Sequence, residues 1–318
     1  MTIFKRIYMN LKTEANLLKI SIFSTIVLAI IGIIFGLLAS SSTIIFDSIY
    51  GLIDAVMTTL ALIVAKLIIN STSKDFVNSR LEKHFTMGFW HLEPIVLGVN
   101  GILLISAATY AFINAIDSFL LGGREILFGY AIIITLISIV IELSLGFYIK
   151  KANKTINSEF LTLDSISWLI SASMSFGYLI AFGFGYFAMN TNLQWITPYI
   201  DPTILIIVTI LVIPMPLKTV KKALADILLV TPSELKSHVD KVAQNIVNKY
   251  GFNSFRAYVA RVGRGRQIEL YFIVPKSWPP KRLEEWDLLR DEIEKELGKE
   301  DPDLWLTIVF TTDFEWAE

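Results

Sequence analysis

Apolar residues fill the first two thirds of the chain in long blocks separated by short polar breaks, and each block approaches the ~20 residues a helix needs to cross a bilayer. Six spans are predicted, at roughly 20–39, 43–69, 94–116, 127–149, 161–187 and 201–217. The breaks are Ser40-Ser41-Ser42, a polar segment 70–92, the turn 117–125, the basic connection 150–158 and the polar stretch 190–199. Pro214 and Pro216 mark the end of the sixth span. From about residue 231 the pattern becomes that of a small folded domain. Thr231 or Ser233 caps a helix with Pro232 in its first turn, and Val239, Val242, Ile246 and Val247 form its apolar face. Strands at 254–261 and 267–274 flank the turn Val262-Gly263-Arg264-Gly265-Arg266, a second helix covers 280–297, and a third strand 304–311. The predicted organisation is a six-span region, 1–230, and a two-layer α+β domain of order αββαβ, 231–318.

Composition narrows the class. At 54% apolar residues the chain exceeds soluble averages, which marks a polytopic membrane protein. The net charge of -1 gives no ground for a nucleic-acid partner. There is no cysteine, and histidine is confined to His84, His91 and His238, so any metal is held mostly by oxygen. The first apolar run lacks a small-residue cleavage site and is followed by further spans, so it is expected to be retained. Basic residues gather at the N-terminus (Lys5, Arg6, Lys12, Lys19), in 70–92 (Lys74, Arg80, Lys83), in 150–158 (Lys150, Lys151, Lys154) and after span six (Lys218, Lys221, Lys222), against Arg124 alone on the other side. The positive-inside rule then places both termini in the cytoplasm of a multi-pass protein of the cell (inner or plasma) membrane.

One stretch occurs twice. Phe46-Asp47-Ser48-Ile49-Tyr50-Gly51-Leu52-Ile53 in span two and Leu163-Asp164-Ser165-Ile166-Ser167-Trp168-Leu169-Ile170 in span five share the pattern apolar-Asp-Ser-Ile-x-x-Leu-Ile. Helical periodicity aligns Asp47, Tyr50 and Asp54 on one face, and Asp164, Ser167 and Ser171 on the other. A carboxylate inside a membrane helix costs roughly 2.5–3.5 kcal/mol on insertion scales, so three in matched positions point to an ion. The plainer reading is helix-end Asp residues that reach water. Asn100 and Asn114 either hydrogen-bond between helices, worth roughly 0.6 kcal/mol, or, for Asn100, lend a carbonyl to the ion. Glu142 is a candidate proton relay or a partner for Lys66, and His91 and Glu93 are candidate anchors for the start of span three.

These residues resemble the cation diffusion facilitator family over nearly the whole chain. The family's Asp-x-x-His/Asp-x-x-x-Asp set in span two is matched by Asp47, Tyr50 and Asp54, and its span-five set by Asp164, Ser167 and Ser171. Gly88-Phe89-Trp90-His91-Leu92-Glu93 resembles a Gly-His-Gly-Arg/Lys-x-Glu stretch, and Tyr199-Ile200-Asp201-Pro202 resembles the Tyr-x-Asp-Pro that often opens span six. The departures are informative. The resemblance assigns four tetrahedral ligand places to Tyr50, Asp54, Ser167 and Ser171, of which one is a carboxylate. Neutral hydroxyls are poor zinc ligands. With Asp47 and Asp164 one turn away, the site is expected to hold a hard ion such as Mg²⁺ or Mn²⁺, with Fe, Co and Zn still open. In the loop, Glu82 and His84 stand near the family's ligand places but read more plainly as solvated surface. In the soluble domain the family's metal places fall at Ala257 or Tyr258, Tyr271, Trp286 and Thr311, with Asp313 alone matching.

The resemblance implies a homodimeric secondary transporter that exports a divalent metal cation from the cytoplasm, by proton antiport, with no organic cofactor. Its cytoplasmic αββαβ domain, ferredoxin-like and metallochaperone-like, is expected to bind no zinc and to serve dimer contact. A carboxylate cluster in low dielectric cannot stay unpaired, so protons and metal compete for the same oxygens. The alternative is a transport-inactive relative acting as a partner or sensor subunit. An enzyme is not expected, since no nucleophile–base pair or phosphate loop is present.

Overall fold

The computed structural model describes residues 2–71, 85, 88–156, 159–298 and 303–317. Among the described residues, six stretches are helical, long and apolar enough to cross a membrane: Asn16–Ala39, Ser42–Ile68, Leu92–Leu120, Phe128–Ile156, Leu161–Ala188 and Gln194–Ile227. The helices that carry them are α1 (Thr2–Ala39), α2 (Ser42–Ser71), α3 (Leu92–Leu120), α4 (Phe128–Ile156), α5 (Glu159–Ala188), α6 (Thr197–Val212) and α7 (Pro214–Ile227). The sixth stretch was expected to end near 217. Instead α6 stops before Pro214, whose ring removes the N–H that would continue the helix, and α7 starts on that proline, where a missing N–H costs nothing. By packing, the chain forms two compact units: Met1–Leu60 with Asn100–Lys218, and Ala61–Val99 with Thr219–Glu318. The boundary at 230 read from the sequence follows composition, and this division follows contacts.

In the first unit α4 and α5 pack along their length and α1 lies against α4. Phe128, Ile134, Phe182 and Leu205 are buried at the centre, with the small Ala108, Ala111 and Ala115 letting α3 in. The turn from α1 to α2 is tight. Ser40 adopts φ 57, a left-handed conformation that closes α1 as its Ser41 neighbour donates from the backbone to Gly36. A helix start leaves four N–H groups unpaired, and in an apolar bundle each must be met. Asp201, 1% exposed at the start of α6, meets two of them: Ser42 N donates to Oδ2 at 2.9 Å and Thr43 N to Oδ1 at 3.3 Å. Ser41 supplies the rest, its Oγ accepting from Ile44 N at 3.3 Å and its carbonyl from Ile45 N at 3.2 Å. The same Ser41 hydroxyl donates to Asp201 Oδ1 at 2.6 Å, and Thr43 Oγ1 donates to the Asp201 carbonyl at 3.0 Å. Pro202 completes the device. It cannot donate to the Pro198 carbonyl four residues back, so that oxygen takes the Arg124 N–H instead, at 2.7 Å. Gly123, at φ +86, lies so close to that carbonyl that a Cβ would come within 2.4 Å of it.

The second unit carries α8 (Ser233–Tyr250), β1 (Ser254–Val262), β2 (Gly265–Ile273), α9 (Leu283–Leu297) and β3 (Leu304–Thr311), the expected αββαβ order. The sheet runs β1-β2-β3, with β1 and β2 antiparallel and β2 and β3 parallel. Ile268, Leu270 and Phe272 alternate along β2 into a core with Val239 and Ile246 of α8 and Ile293 of α9. The hairpin turn is tighter than predicted. Val262 pairs with Gly265, and Gly263 at φ +63 takes the first of two turn positions, where glycine is favoured. Arg264 at the tip donates through Nε to Glu93 Oε2 at 2.9 Å and through Nη2 to Oε1 at 3.3 Å, and its backbone N also faces Oε2 at 3.3 Å. The Glu93 carboxylate thereby pushes the Arg264 guanidinium above its already high range. Three residues earlier, Arg261 Nε donates to the buried Asp226 at 3.2 Å. Glu93, expected only to anchor the start of the third span, is the receptor for the hairpin.

Asp201→Ala strands two buried N–H groups of α2 and is expected to lower stability by about 2 kcal/mol. Asp201→Asn, which keeps one acceptor, is expected to cost less. Thermal unfolding of the purified protein in detergent reads both, and an unchanged midpoint for Asp201→Ala contradicts the cap. Arg264→Ala is expected to cost about 1 kcal/mol, since the pair is partly solvated. Hydrogen exchange should quicken at the hairpin tip and leave Leu270 and Phe272 protected.

Candidate functional site

Both copies of the repeated stretch face one cavity in the first unit. It measures about 390 Å³ and is walled by α1, α2, α4, α5 and α6, with Met215 of α7 at one edge. Asp47, Tyr50 and Asp54 of α2 line it, as do Asp164, Ser167 and Ser171 of α5. The spacing read from the sequence explains this: one face of each helix presents its polar residues at every turn, and the two polar faces share a wall. Asn100 of α3 is not in the lining. It reaches the site through Asp54, its Nδ2 donating to Oδ1 at 3.3 Å.

The three carboxylates are held separately. Tyr178 Oη donates to Asp47 Oδ1 at 3.3 Å. Ser21 Oγ of α1 donates to Asp164 Oδ1 at 2.8 Å, and is itself the acceptor for Trp168 Nε1 at 2.8 Å, one turn along from Asp164. Asp54 has Asn100. Asp47 and Asp54 are two turns apart, about 10 Å along the helix. Among the described residues, no three His, Cys, Asp or Glu side chains are grouped to hold a metal. The structure therefore brings the carboxylates into one cavity without grouping them, and the hydroxyls of Tyr50, Ser167 and Ser171 line the same cavity.

A further carboxylate joins them. Glu142 of α4, 4% exposed, also lines the cavity, within electrostatic reach of Asp47 and beside Ser175. Among the described residues, the buried side-chain oxygens and nitrogens without a hydrogen-bond partner are Asn100 Oδ1, Glu142 Oε2 and Asp164 Oδ2. All three are acceptors. A buried unpaired acceptor costs roughly 1–3 kcal/mol, and more when charged, so the site is arranged for positive charge.

Sequence reasoning missed Ser21, Trp168 and Tyr178. A serine in the first span and aromatic residues in an apolar helix carry no periodic signal, and only packing aims them. Glu142 did carry a signal, as an ionisable residue within a span. The predicted loop residues Glu82 and His84 lie outside the described residues, and the neighbouring Phe85 is exposed. In the αββαβ region the family's metal places have local duties. Asp313 Oδ1 accepts from Glu315 N at 3.1 Å, Thr311 Oγ1 accepts from Asp313 N at 3.0 Å, and Tyr258 Oη donates to the Ala317 carbonyl at 2.8 Å. Trp286 packs on Phe310 at 4.6 Å between ring centres.

Six helices able to cross a membrane, five of which wall a cavity lined by Asp47, Asp54, Glu142 and Asp164, are the features of a membrane cation transporter. The sequence profile of the cation efflux transmembrane domain matches residues 18–228, which takes in every helix of the cavity wall. The chain belongs to the cation efflux, or cation diffusion facilitator, family: it is a multi-pass membrane transporter of divalent metal cations and not an enzyme. No curated protein matches the chain.

Because the chain has no cysteine, single substitutions report on this cavity cleanly. Ser167→Cys and Ser171→Cys are expected to react with a charged, water-soluble thiol reagent. Ile180→Cys, at a position 73% exposed on the apolar outside of α5, is expected to stay inert in a bilayer, where a thiolate does not form. Equal reactivity at all three would show that water reaches α5 by another route.

Proposed function

We propose that this protein exports a hard divalent cation, Mg²⁺ or Mn²⁺, from the cytoplasm in exchange for protons. The observation that carries the ion preference is the chemistry of the wall. Its polar lining contains carboxylates and hydroxyls, with no imidazole or thiolate among the lining residues. Zinc favours a closed tetrahedron of nitrogen, sulfur and carboxylate ligands. The family's four ligand places here are Tyr50, Asp54, Ser167 and Ser171, three hydroxyls and one carboxylate. Mg²⁺ keeps several waters and needs one or two carboxylates, and a cavity of this volume with its few carboxylates offers both. Asp54 is the central ligand in this reading, Asp47 and Asp164 extend the negative field along the path, and Asn100 orients Asp54.

Proton exchange follows from the same groups. When the ion leaves, acceptors enclosed in a low dielectric need another positive partner, and protons supply it. The clustered basic residues of the connections support cytoplasmic termini, and membership of the cation efflux family supports export as the direction of transport. The domain after residue 231 is small for its own core and gains from pairing with a second copy, which supports a homodimer with that domain as its contact.

Flux into proteoliposomes across Mg²⁺, Mn²⁺, Fe²⁺, Co²⁺ and Zn²⁺ tests the proposal. Mg²⁺ or Mn²⁺ is expected to move fastest, and only with an opposing proton gradient. Charge-assisted contacts are roughly twice as strong as neutral ones, so Asp54→Asn is expected to lose most transport at unchanged expression. Ser171→Asp restores a family-like carboxylate and is expected to shift preference towards Mn²⁺ or Zn²⁺. Wild-type rates in Asp47→Asn, Asp54→Asn and Asp164→Asn alike would place the ion elsewhere. Absence of flux for every ion would favour a transport-inactive partner or sensor subunit, the reading that Ser167 and Ser171 by themselves suggest.

A further inference from the structure

The cavity is longer than one ion needs, and its carboxylates are not evenly served. At Asp54, Tyr50 lies within electrostatic reach and Asn100 donates from behind. About 10 Å away along α2, at Asp47, a second group is assembled from three helices. Asp47 comes from α2, Glu142 from α4, and Tyr178 and Ser175 from α5, and all four line the cavity. Tyr178 donates to one oxygen of Asp47 and lies within electrostatic reach of Glu142 as well. Glu142 is 4% exposed, and its Oε2 has no hydrogen-bond partner.

A purely structural glutamate buried to this degree would use both oxygens, because an unpaired carboxylate oxygen in an apolar bundle is costly. An apolar residue would fill the same space at lower cost. Here two acidic side chains from different helices instead lie within electrostatic reach of each other, with hydroxyls as partners and no basic side chain in the cavity lining. Like charges so placed repel unless a cation lies between them. Two carboxylates, a phenol and a hydroxyl, with room for retained water, form a hard-oxygen donor set.

We infer that Glu142 and Asp47, with Tyr178 and Ser175, form a second cation position in the cavity, taken by a hard, partly hydrated divalent cation. The inference rests on the reading of this cavity as the ion path, and adds to it a ligand from α4. Two positions about 10 Å apart along one cavity let an arriving ion weaken the hold on the one ahead, since two divalent ions repel strongly where water is scarce.

Mn²⁺ is the probe. Equilibrium dialysis of the full chain in nanodiscs is expected to give two Mn²⁺ per chain that are lost together from the double variant Glu142→Gln/Asp54→Asn. Glu142→Gln alone is expected to retain one, and Asp54→Asn alone the other. Electron paramagnetic resonance gives a readout that a merely structural role would not move: line broadening between neighbouring Mn²⁺ ions in the wild type, lost in Glu142→Gln. Should Glu142→Gln fail to fold, Tyr178→Phe keeps the ring and removes one hydroxyl, and is expected to weaken one of the two binding steps about fivefold. Equal stoichiometry in the wild type and Glu142→Gln, or unchanged affinities in Tyr178→Phe, overturns the second position and leaves the transport reading intact. No Mn²⁺ bound by the wild type overturns both.

Discussion

A buried acceptor oxygen has to be given a donor or a positive charge, and this requirement shapes the membrane part of the protein. Asp201 shows the requirement fully met. Its carboxylate takes the Ser41 hydroxyl and the first two N–H groups of α2, and in doing so fixes where α2 begins and how it leaves α1. The position of Asp47 and Asp54 follows from that start, because a helix set at Ser42 carries every later side chain to a determined height and face. A slip of one residue there would turn both carboxylates by about 100° around the axis. The polar cap at one end of α2 is therefore the condition for the polar face along its length.

In and beside the cavity the same requirement is left partly unmet. Asp164 has one oxygen satisfied by Ser21 and the other without a partner, Asn100 spends its amide N–H on Asp54 and leaves its carbonyl unpaired, and Glu142 has an unpaired oxygen. The contrast with Asp201 separates two uses of buried carboxylates in one chain. Where the oxygens are saturated the group builds structure, and where they are not it is free to hold something that comes and goes. An ion that is transported must be bound loosely enough to leave, so incomplete satisfaction suits a path better than a closed coordination shell would.

The second unit shows a related economy with charge. Its hairpin tip offers Arg264 to Glu93, and the strand behind it offers Arg261 to Asp226, so the hairpin is tied to the first turn of α3 and the end of α7. Gly263 and Gly265 make this approach practicable, since a Cβ at Gly265 would meet the Trp90 ring at 2.6 Å. The tie is geometric as much as energetic: a planar guanidinium meeting a carboxylate with two N–H groups fixes direction, which a single exposed pair would not.

Much of this was written in the sequence. Long apolar blocks, a repeated Asp-Ser-Ile stretch and the αββαβ order gave the six helices, the pairing of Asp47 and Asp54 with Asp164, Ser167 and Ser171, and the small domain, because helical and strand periods act over a few residues. The family likeness rested on the same local signals, including Tyr199-Ile200-Asp201-Pro202, but its physical meaning did not. That Asp201 caps α2, that Ser21 and Trp168 serve Asp164, that Tyr178 reaches Asp47, and that Glu142 joins the cavity are contacts between residues far apart in the chain. Periodicity says which face of a helix is polar, but which neighbour that face meets depends on how the helices pack, and only the tertiary structure decides that.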